Sequence, residues 1–149
     1  MKAQILILSL CLLGIFSYNP NKALEYADNF CDKRNPKYND YSEYGYDSAN
    51  FVSQCLIAGG EDLSECNTDD KGSIVTVADL EECLHKKNWE YIYSISAPEG
   101  FKAGGVIIIN TGGHALFATS QLTFSSHTND RCNVQYPGGI KTFYYYPEK

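Results

Sequence analysis

The sequence predicts an α+β domain in which N-terminal helices pack on an antiparallel β-sheet. In the first half of the chain, apolar residues recur at helical spacing between capping and stop signals. From about residue 89 onward, short segments rich in β-branched and aromatic residues alternate with glycine or polar turns. Helices followed by strands is the chain order of an α+β layout.

The N-terminal segment, residues 1–17, has the features of a secretory signal peptide. Met1 and Lys2 give a positive start, residues 5–16 form an almost unbroken apolar run, and Ser17 is a small residue suited to signal peptidase cleavage. The apolar run is shorter than the ~20 residues that a membrane-spanning helix needs. We therefore predict a secreted protein, or one of the secretory-pathway lumen, with no membrane span.

After cleavage, residues 18–149 are predicted to form a single domain, because this length supports one hydrophobic core and is too short for two. The net charge of the chain is −6, and adjacent basic residues occur only as pairs such as Lys86-Lys87. Phosphate binding needs clustered Lys and Arg, so the composition argues against a nucleic-acid partner.

Five cysteines remain after the signal peptide, and in an oxidising compartment they are expected to form disulfides. Cys55 falls on the apolar face of a predicted helix and is the best candidate for a buried free thiol. The other four allow three connectivities, of which we favour Cys66 with Cys83 and Cys31 with Cys132. No Cys-x-x-Cys pair is present, so neither a zinc site nor another cofactor is expected.

Capping residues mark three predicted helices, which begin at Asn19, Asp47 and Thr76. Their predicted ends are the Asn35-Pro36 pair, Ala58 before the Gly59-Gly60 pair, and Lys87. The predicted strands are residues 89–95, 106–110, 114–119, 121–126 and 142–146.

Three polar residues stand where a catalytic site would need them. Ser48 begins the second helix, where the helix dipole favours a developing anion and the residue's own N–H can serve an oxyanion hole. His114 enters one predicted strand and His127 ends the next. Antiparallel pairing through a tight turn near Ser120-Gln121 would bring the two imidazoles side by side. This is the order of nucleophile, base and orienting group.

Residues 47–60 read DSANFVSQCLIAGG. This stretch resembles the Asp-Cys-Thr-Asn-Phe-Val-Ser-Gln signature of the putative amidase-domain family, which is related to the CHAP and NlpC-type cell-wall hydrolases. Further segments agree in order, and the resemblance spans nearly the whole mature chain. These segments are residues 18–27, 35–38, 113–115 and 126–131.

The resemblance implies a papain-like fold and a site at Ser48. It also implies that His114 corresponds to the general base and His127 to the polar residue that orients this base. Asn129 and Asp130 are less favoured candidates for the orienting residue.

Two positions depart from the family pattern: Ser48 replaces the nucleophilic cysteine, and Gly105 stands where relatives often have aspartate. The first departure matters more. A thiol becomes a thiolate beside an imidazolium, whereas a hydroxyl must lose its proton during attack, to a base placed for the larger sulfur atom.

These observations leave three functional hypotheses, in order of preference. The first is a secreted pseudoenzyme that binds a peptide or a peptidoglycan-like, glycan-linked peptide, or that joins an extracellular protein assembly. The second is an active amidase or cysteine-peptidase-type hydrolase, with Ser48 either as nucleophile or as an engineered replacement that silences the enzyme. The third is a purely structural, disulfide-stapled domain.

Overall fold

The computed structural model describes residues 17–110 and 113–148, so the predicted signal peptide lies outside the described residues except for Ser17. Three α-helices and a six-stranded antiparallel sheet in this part of the chain confirm the α+β prediction. The helices are α1 Pro20–Phe30, α2 Ser48–Ala58 and α3 Val77–Lys86, with a 3₁₀ helix at Ser42–Tyr44. The strands are β1 Glu90–Ser94, β2 Val106–Ile109, β3 His114–Ala118, β4 Thr123–Ser126, β5 Arg131–Gln135 and β6 Lys141–Tyr145.

Local capping explains where α1 and α3 begin. The side chain of Asn19 accepts hydrogen bonds from the backbone N–H groups of the first turn of α1, and Pro20 occupies the first helical position. The Thr76 hydroxyl accepts from the Asp79 N–H at the start of α3. Helix α1 ends at Phe30, before the predicted stop at residues 35–36. Cys31 is its C-cap, and a turn follows.

The six strands lie in the order β1-β6-β2-β3-β4-β5, with every neighbouring pair antiparallel. Strand β5 was not predicted from the sequence. Its residues alternate between exposed and half-buried and include Arg131, Asn133 and Gln135, as is usual for a polar edge strand with one solvated face.

The sheet has a helix face and an outer face. Along β2, Val106 and Ile108 join the core cluster formed with the helices, whereas Ile107 joins a second cluster on the outer face. Helix α2 packs against α1, α3 and β3, and nine of its eleven residues are buried. Sequence periodicity predicted one buried face for α2, whereas the structure encloses the helix on nearly all sides.

The structure confirms the favoured disulfide pairing. Cys31 at the end of α1 is bonded to Cys132 in β5, and Cys66 in the loop before α3 is bonded to Cys83 within α3. Cys55 is the free cysteine of the described residues and is fully buried, also as predicted. The longer cross-link ties the helical half of the chain to the far edge of the sheet.

This arrangement predicts the outcome of thiol mapping. Non-reducing peptide mapping should recover the Cys31–Cys132 and Cys66–Cys83 pairs, because both are formed in the fold. Alkylation of the native protein should be slow, and after unfolding without reductant only Cys55 should react. Rapid modification of any other cysteine in the native state would contradict this disulfide map.

Candidate functional site

Ser48 lies where α2 meets the sheet. It is the first residue of the helix and is 3% exposed. Its Oγ accepts a hydrogen bond of 3.2 Å from the backbone N–H of Ala115. Ala115 directly follows His114 in β3, so this bond joins the segment of the predicted nucleophile to the segment of the predicted base.

A cavity of about 180 Å³ opens beside Ser48. It lies between the N-terminus of α2, the start of α3 and the start of β3, and both Ser48 and His114 contribute to its wall. The other lining residues are Gly45, Tyr46, Val75, Thr76, Val77 and Gly113. The described side chains therefore leave room for a ligand group next to Ser48.

His114 is half-buried at the start of β3 and lines this cavity. Burial lowers the pKa of its imidazole, and the nearby positive charge of Arg131 lowers it further. The ring is therefore mainly neutral near pH 7. Within residues 17–110 and 113–148, no hydrogen bond joins Ser48 Oγ to an imidazole nitrogen, so the serine has no bonded base in this state.

His127 is placed differently from the sequence prediction. Its ring is fully buried, with Nδ1 2.8 Å from Asp47 Oδ2 and Nε2 2.7 Å from the Phe30 carbonyl oxygen. The ring also packs against Phe51 in a tilted arrangement, with the two centroids 4.2 Å apart. A carboxylate and a carbonyl can only accept hydrogen bonds, so both ring nitrogens donate and the ring is an imidazolium. His127 binds the N-terminal end of α2 and does not orient His114.

The strand register explains the difference. Side-by-side imidazoles require residue 114 opposite residue 127, but β3 and β4 pair Phe117 with Ser125. If this pairing is continued by two residues, backward along β3 and forward beyond β4, Ala115 lies opposite His127. A shift of one residue turns a side chain to the other face of the sheet, so His114 and His127 do not face each other.

The Asp47 carboxylate is the centre of this buried network. Oδ1 accepts hydrogen bonds from the Tyr41 N–H and from the Asn50 side chain, while Oδ2 accepts from His127. The Nε of Arg34 lies 2.6 Å from Oδ2 as an ion pair, although its N–H is not directed at that oxygen. Asp47 occupies the N-cap position of α2, but its side chain does not cap the helix as the sequence predicted.

The charge state of Asp47 follows from two opposing effects. Burial alone would raise the pKa of its carboxyl group, but hydrogen bonds from His127 and Asn50 and the charges of His127 and Arg34 outweigh this effect. The net pKa lies below the ordinary aspartate value, so the group is a carboxylate at neutral pH. Asp130, a less favoured candidate for the orienting residue, pairs with Arg34 at 2.9 Å instead.

Polar residues of the signature hold α2 from several sides. Asn50 donates to the Asn39 carbonyl and accepts from Gln54, which in turn accepts from the Tyr26 hydroxyl. Ser53 donates to the Asn50 carbonyl and accepts from the N–H of residue 74. The bonds from Tyr26 to Gln54 and from the N–H of residue 74 to Ser53 join residues far apart in the chain, so the sequence alone did not predict them.

The second departure from the family pattern also has a structural cause. A Cβ atom at Gly105 would lie 2.7 Å from the Phe101 ring and 2.9 Å from the Tyr144 carbonyl oxygen. Both distances are well below van der Waals contact, so a side chain cannot be accommodated here without movement of the backbone or of Phe101.

The comparison with known families decides the relationship. The family described as "Putative amidase domain" matches residues 17–102, which is more than half of the chain. The chain belongs to this family. The matched part contains Ser48 and the rest of the signature but stops before His114 and His127.

One curated relative also matches the chain. The uncharacterized protein YhbB of Bacillus subtilis is 47% identical over 45 residues, which are 30% of this chain and 14% of that protein. The alignment thus spans a small part of the relative. No solved structure matches the chain. In residues 17–110 and 113–148 no helix is long and apolar enough to cross a membrane, and no cluster of three metal-ligating side chains occurs.

The Asp47 network predicts a large difference between two Asp→Asn substitutions. Asp47→Asn should lower the free energy of unfolding by about 3–5 kcal/mol, because it leaves His127 and Arg34 without their buried counter-charge. Asp130→Asn removes a partly exposed carboxylate from the same Arg34 and should cost less than about 1 kcal/mol. Urea unfolding monitored by circular dichroism measures both values, and similar losses would contradict a central role for Asp47.

The same network has a pH signature. Because folding lowers the pKa of Asp47, its contribution to stability is fully present above the unfolded value of about 3.9 and is lost as the pH falls through the folded value. Asp47→Asn should therefore flatten this acid limb of a stability profile, whereas Asp130→Asn should leave it steep. An unchanged acid limb in Asp47→Asn would refute the assignment.

Ser48→Cys should create a thiol with a lowered pKa. The N-terminus of α2 and the Ala115 N–H both favour a thiolate at this position, and His114 lies at the same cavity. The measurement is the pH midpoint of iodoacetamide alkylation, which separates the thiol pKa from slow access to a buried group.

Two histidine variants serve as controls for this experiment. In the Ser48→Cys background, His114→Ala should raise the midpoint, whereas His85→Ala should leave it unchanged, because His85 is exposed on α3 and packs against Tyr91 and Tyr144. A midpoint equal to that of a free cysteine, with and without His114, would show that these residues do not form a site.

Proposed function

We propose that this chain is a secreted amidase-like pseudoenzyme with a papain-like fold, which binds a peptide or a glycan-linked peptide in the cavity at Ser48 and His114. The main support for the proposal is the hydrogen bonding of the Ser48 hydroxyl and its position at the cavity. Its hydroxyl is bonded to a backbone N–H at the wall of an open cavity, and in the described part of the chain no imidazole is bonded to it.

The papain-like assignment is supported by the way α2 meets the sheet. The helix N-terminus that begins at Ser48 abuts the start of β3, where His114 lies, and the other helices cover the same face. Family membership supports the same assignment, because residues 17–102 include α1 and α2.

The chemistry of Ser48 favours binding over hydrolysis. Attack by an aliphatic hydroxyl requires a base within hydrogen-bond reach, and His114 makes no such bond here. The Asp-His pair that the fold does contain, Asp47 and His127, is committed to holding α2. The cavity beside Ser48 also supports a binding role over a purely structural one, because side chains would fill the same space in a structural domain.

Secretion is supported by the two disulfides, which persist in oxidising compartments. An extracellular location gives access to cell-wall fragments and to secreted partner proteins. A glycan-linked peptide is therefore the ligand that accords with both the family and the compartment.

Ligand binding with and without a filled cavity tests the proposal. Three probes separate the ligand classes: a soluble muropeptide, the same peptide released from its sugar, and the sugar alone. Isothermal titration should show binding of the muropeptide or the free peptide, and mass spectrometry of the mixture should show no cleavage. Val75→Trp, which places a ring into the cavity, should weaken binding at least about tenfold.

The matched control is Asn29→Trp, which adds the same ring to an exposed position on α1 and should bind like the unmodified protein. Equal binding by both tryptophan variants would refute the cavity as the binding site. Cleavage of the peptide by the unmodified protein, abolished in Ser48→Ala, would replace the pseudoenzyme proposal with the hydrolase alternative.

A further inference from the structure

Lys141 is a buried cation without a counter-ion among the described residues. It is the first residue of β6 and is 1% exposed. Its ammonium donates to the carbonyl oxygens of Gly139 at 2.7 Å and Ile95 at 3.2 Å. An ammonium has three N–H donors, and no acceptor for the third occurs in residues 17–110 and 113–148.

This arrangement is costly for the folded protein. Two neutral carbonyl groups compensate only partly for the loss of hydration of a full charge, and burial accordingly lowers the pKa of the amine. Buried ammonium groups in proteins are ordinarily paired with a carboxylate. The chain has 18 acidic residues, yet its described part places none of them in an ion pair with Lys141.

The Lys141 side chain lines a cavity of about 370 Å³ on the outer face of the sheet, which the helices do not cover. Ala97, Tyr136 and Pro137 form apolar parts of the wall, while Ile95 and Leu122 at the rim are 72% and 61% exposed. No Asp or Glu is among the described residues that line it. The cavity thus combines one buried positive charge with apolar walls.

A second cavity of about 400 Å³ adjoins the first, since both are lined by Gln135 and Pro137. It is lined by His114 and by Arg131, whose guanidinium has no ion-pair partner in the described part of the chain. Phe124 and Val134 supply apolar wall here. The two volumes exceed what a small inorganic anion would fill, so a larger ligand that carries an anionic group fits this space better.

We propose that this outer-face groove binds a peptide carboxylate, with Lys141 as the group that pairs with the carboxylate and the apolar walls holding the adjacent side chain. Lys141 lies on the outer face of the sheet and its cavity shares no lining residue with the Ser48 cavity, whereas the adjoining cavity is lined by His114, which also lines the Ser48 cavity. The pairing proposed for Lys141 does not depend on the function proposed for the Ser48 cavity. A bound carboxylate supplies both the missing counter-charge and an acceptor for the third N–H of the ammonium.

A pair of probes that differ only in the carboxylate tests the proposal on the unmodified protein. N-acetyl-alanyl-alanine and its C-terminal amide are titrated into ¹⁵N-labelled protein and followed by two-dimensional NMR. The acid should shift the amide resonances of Lys141, Gln135 and Leu122, whereas the amide should not. Equal binding of the two probes would overturn the proposal, and so would tighter binding of inorganic phosphate at the same residues.

Lys141→Met provides the second arm, with Lys37→Met as a control at an exposed lysine. Lys141→Met should weaken binding of the acid by about tenfold to a hundredfold, whereas Lys37→Met should not change it. The melting temperature of Lys141→Met should be equal to or above that of the unmodified protein, because an unpaired buried charge has been removed. A lower melting temperature of Lys141→Met, together with no binding of the acid by the unmodified protein, would show that Lys141 serves only to hold the loops of Ile95 and Gly139 together.

The two proposed sites can be separated in the same experiment. Val75→Trp fills the Ser48 cavity and should leave the carboxylate titration at Lys141 unchanged. Loss of binding at Lys141 in Val75→Trp would mean that the outer-face groove is not an independent site.

Discussion

The buried carboxylate of Asp47 is the interaction on which the placement of the candidate site depends. It pairs with the buried imidazolium of His127 and with the partly exposed guanidinium of Arg34, and it lies directly before the first residue of α2. His127 also donates to the carbonyl of Phe30 at the end of α1. One anion therefore fixes the positions of two helices and of the turn after β4 relative to one another. Ser48 occupies its position against β3 because its neighbour is held in this way.

The two histidines have opposite roles in this arrangement. His127 is enclosed by groups that only accept hydrogen bonds, and its positive charge belongs to the scaffold. His114 faces a cavity, and its burial together with Arg131 favours the neutral ring. A neutral imidazole can bind a ligand or accept a proton, and in the described part of the chain no hydrogen bond joins this ring to Ser48 Oγ.

Apart from the disulfide between Cys31 and Cys132, the features that the sequence predicted correctly are local, and hydrogen bonds between distant residues were missed. The caps at Asn19 and Thr76 involve residues within one helical turn, and both were recognised. Asp47 was read as a cap because its true partner, His127, is 80 residues away in the chain. The imidazole pairing failed through a register difference of one residue, which no pattern of alternating residues determines when the turn length is unknown.

Two further features were not predicted because the residues that form them are polar. Strand β5 carries Arg131 and Gln135 at an edge of the sheet and lacks the apolar run by which strands are recognised. Lys141 belongs to a residue type that is rarely buried, so its enclosure within the fold had no signature in the sequence.

The hydrogen bonds of α2 bear on how activity is assigned to relatives of this protein. Asn50, Ser53 and Gln54 bond to loops and to one another, and none of these bonds involves the atom at position 48. Selection for the stable packing of α2 can therefore preserve these residues in relatives with and without hydrolase activity. A sequence profile dominated by them identifies the scaffold equally well in a hydrolase and in a protein that cleaves nothing. The matched residues include position 48 and stop before His114, so family membership identifies the scaffold and not an activity.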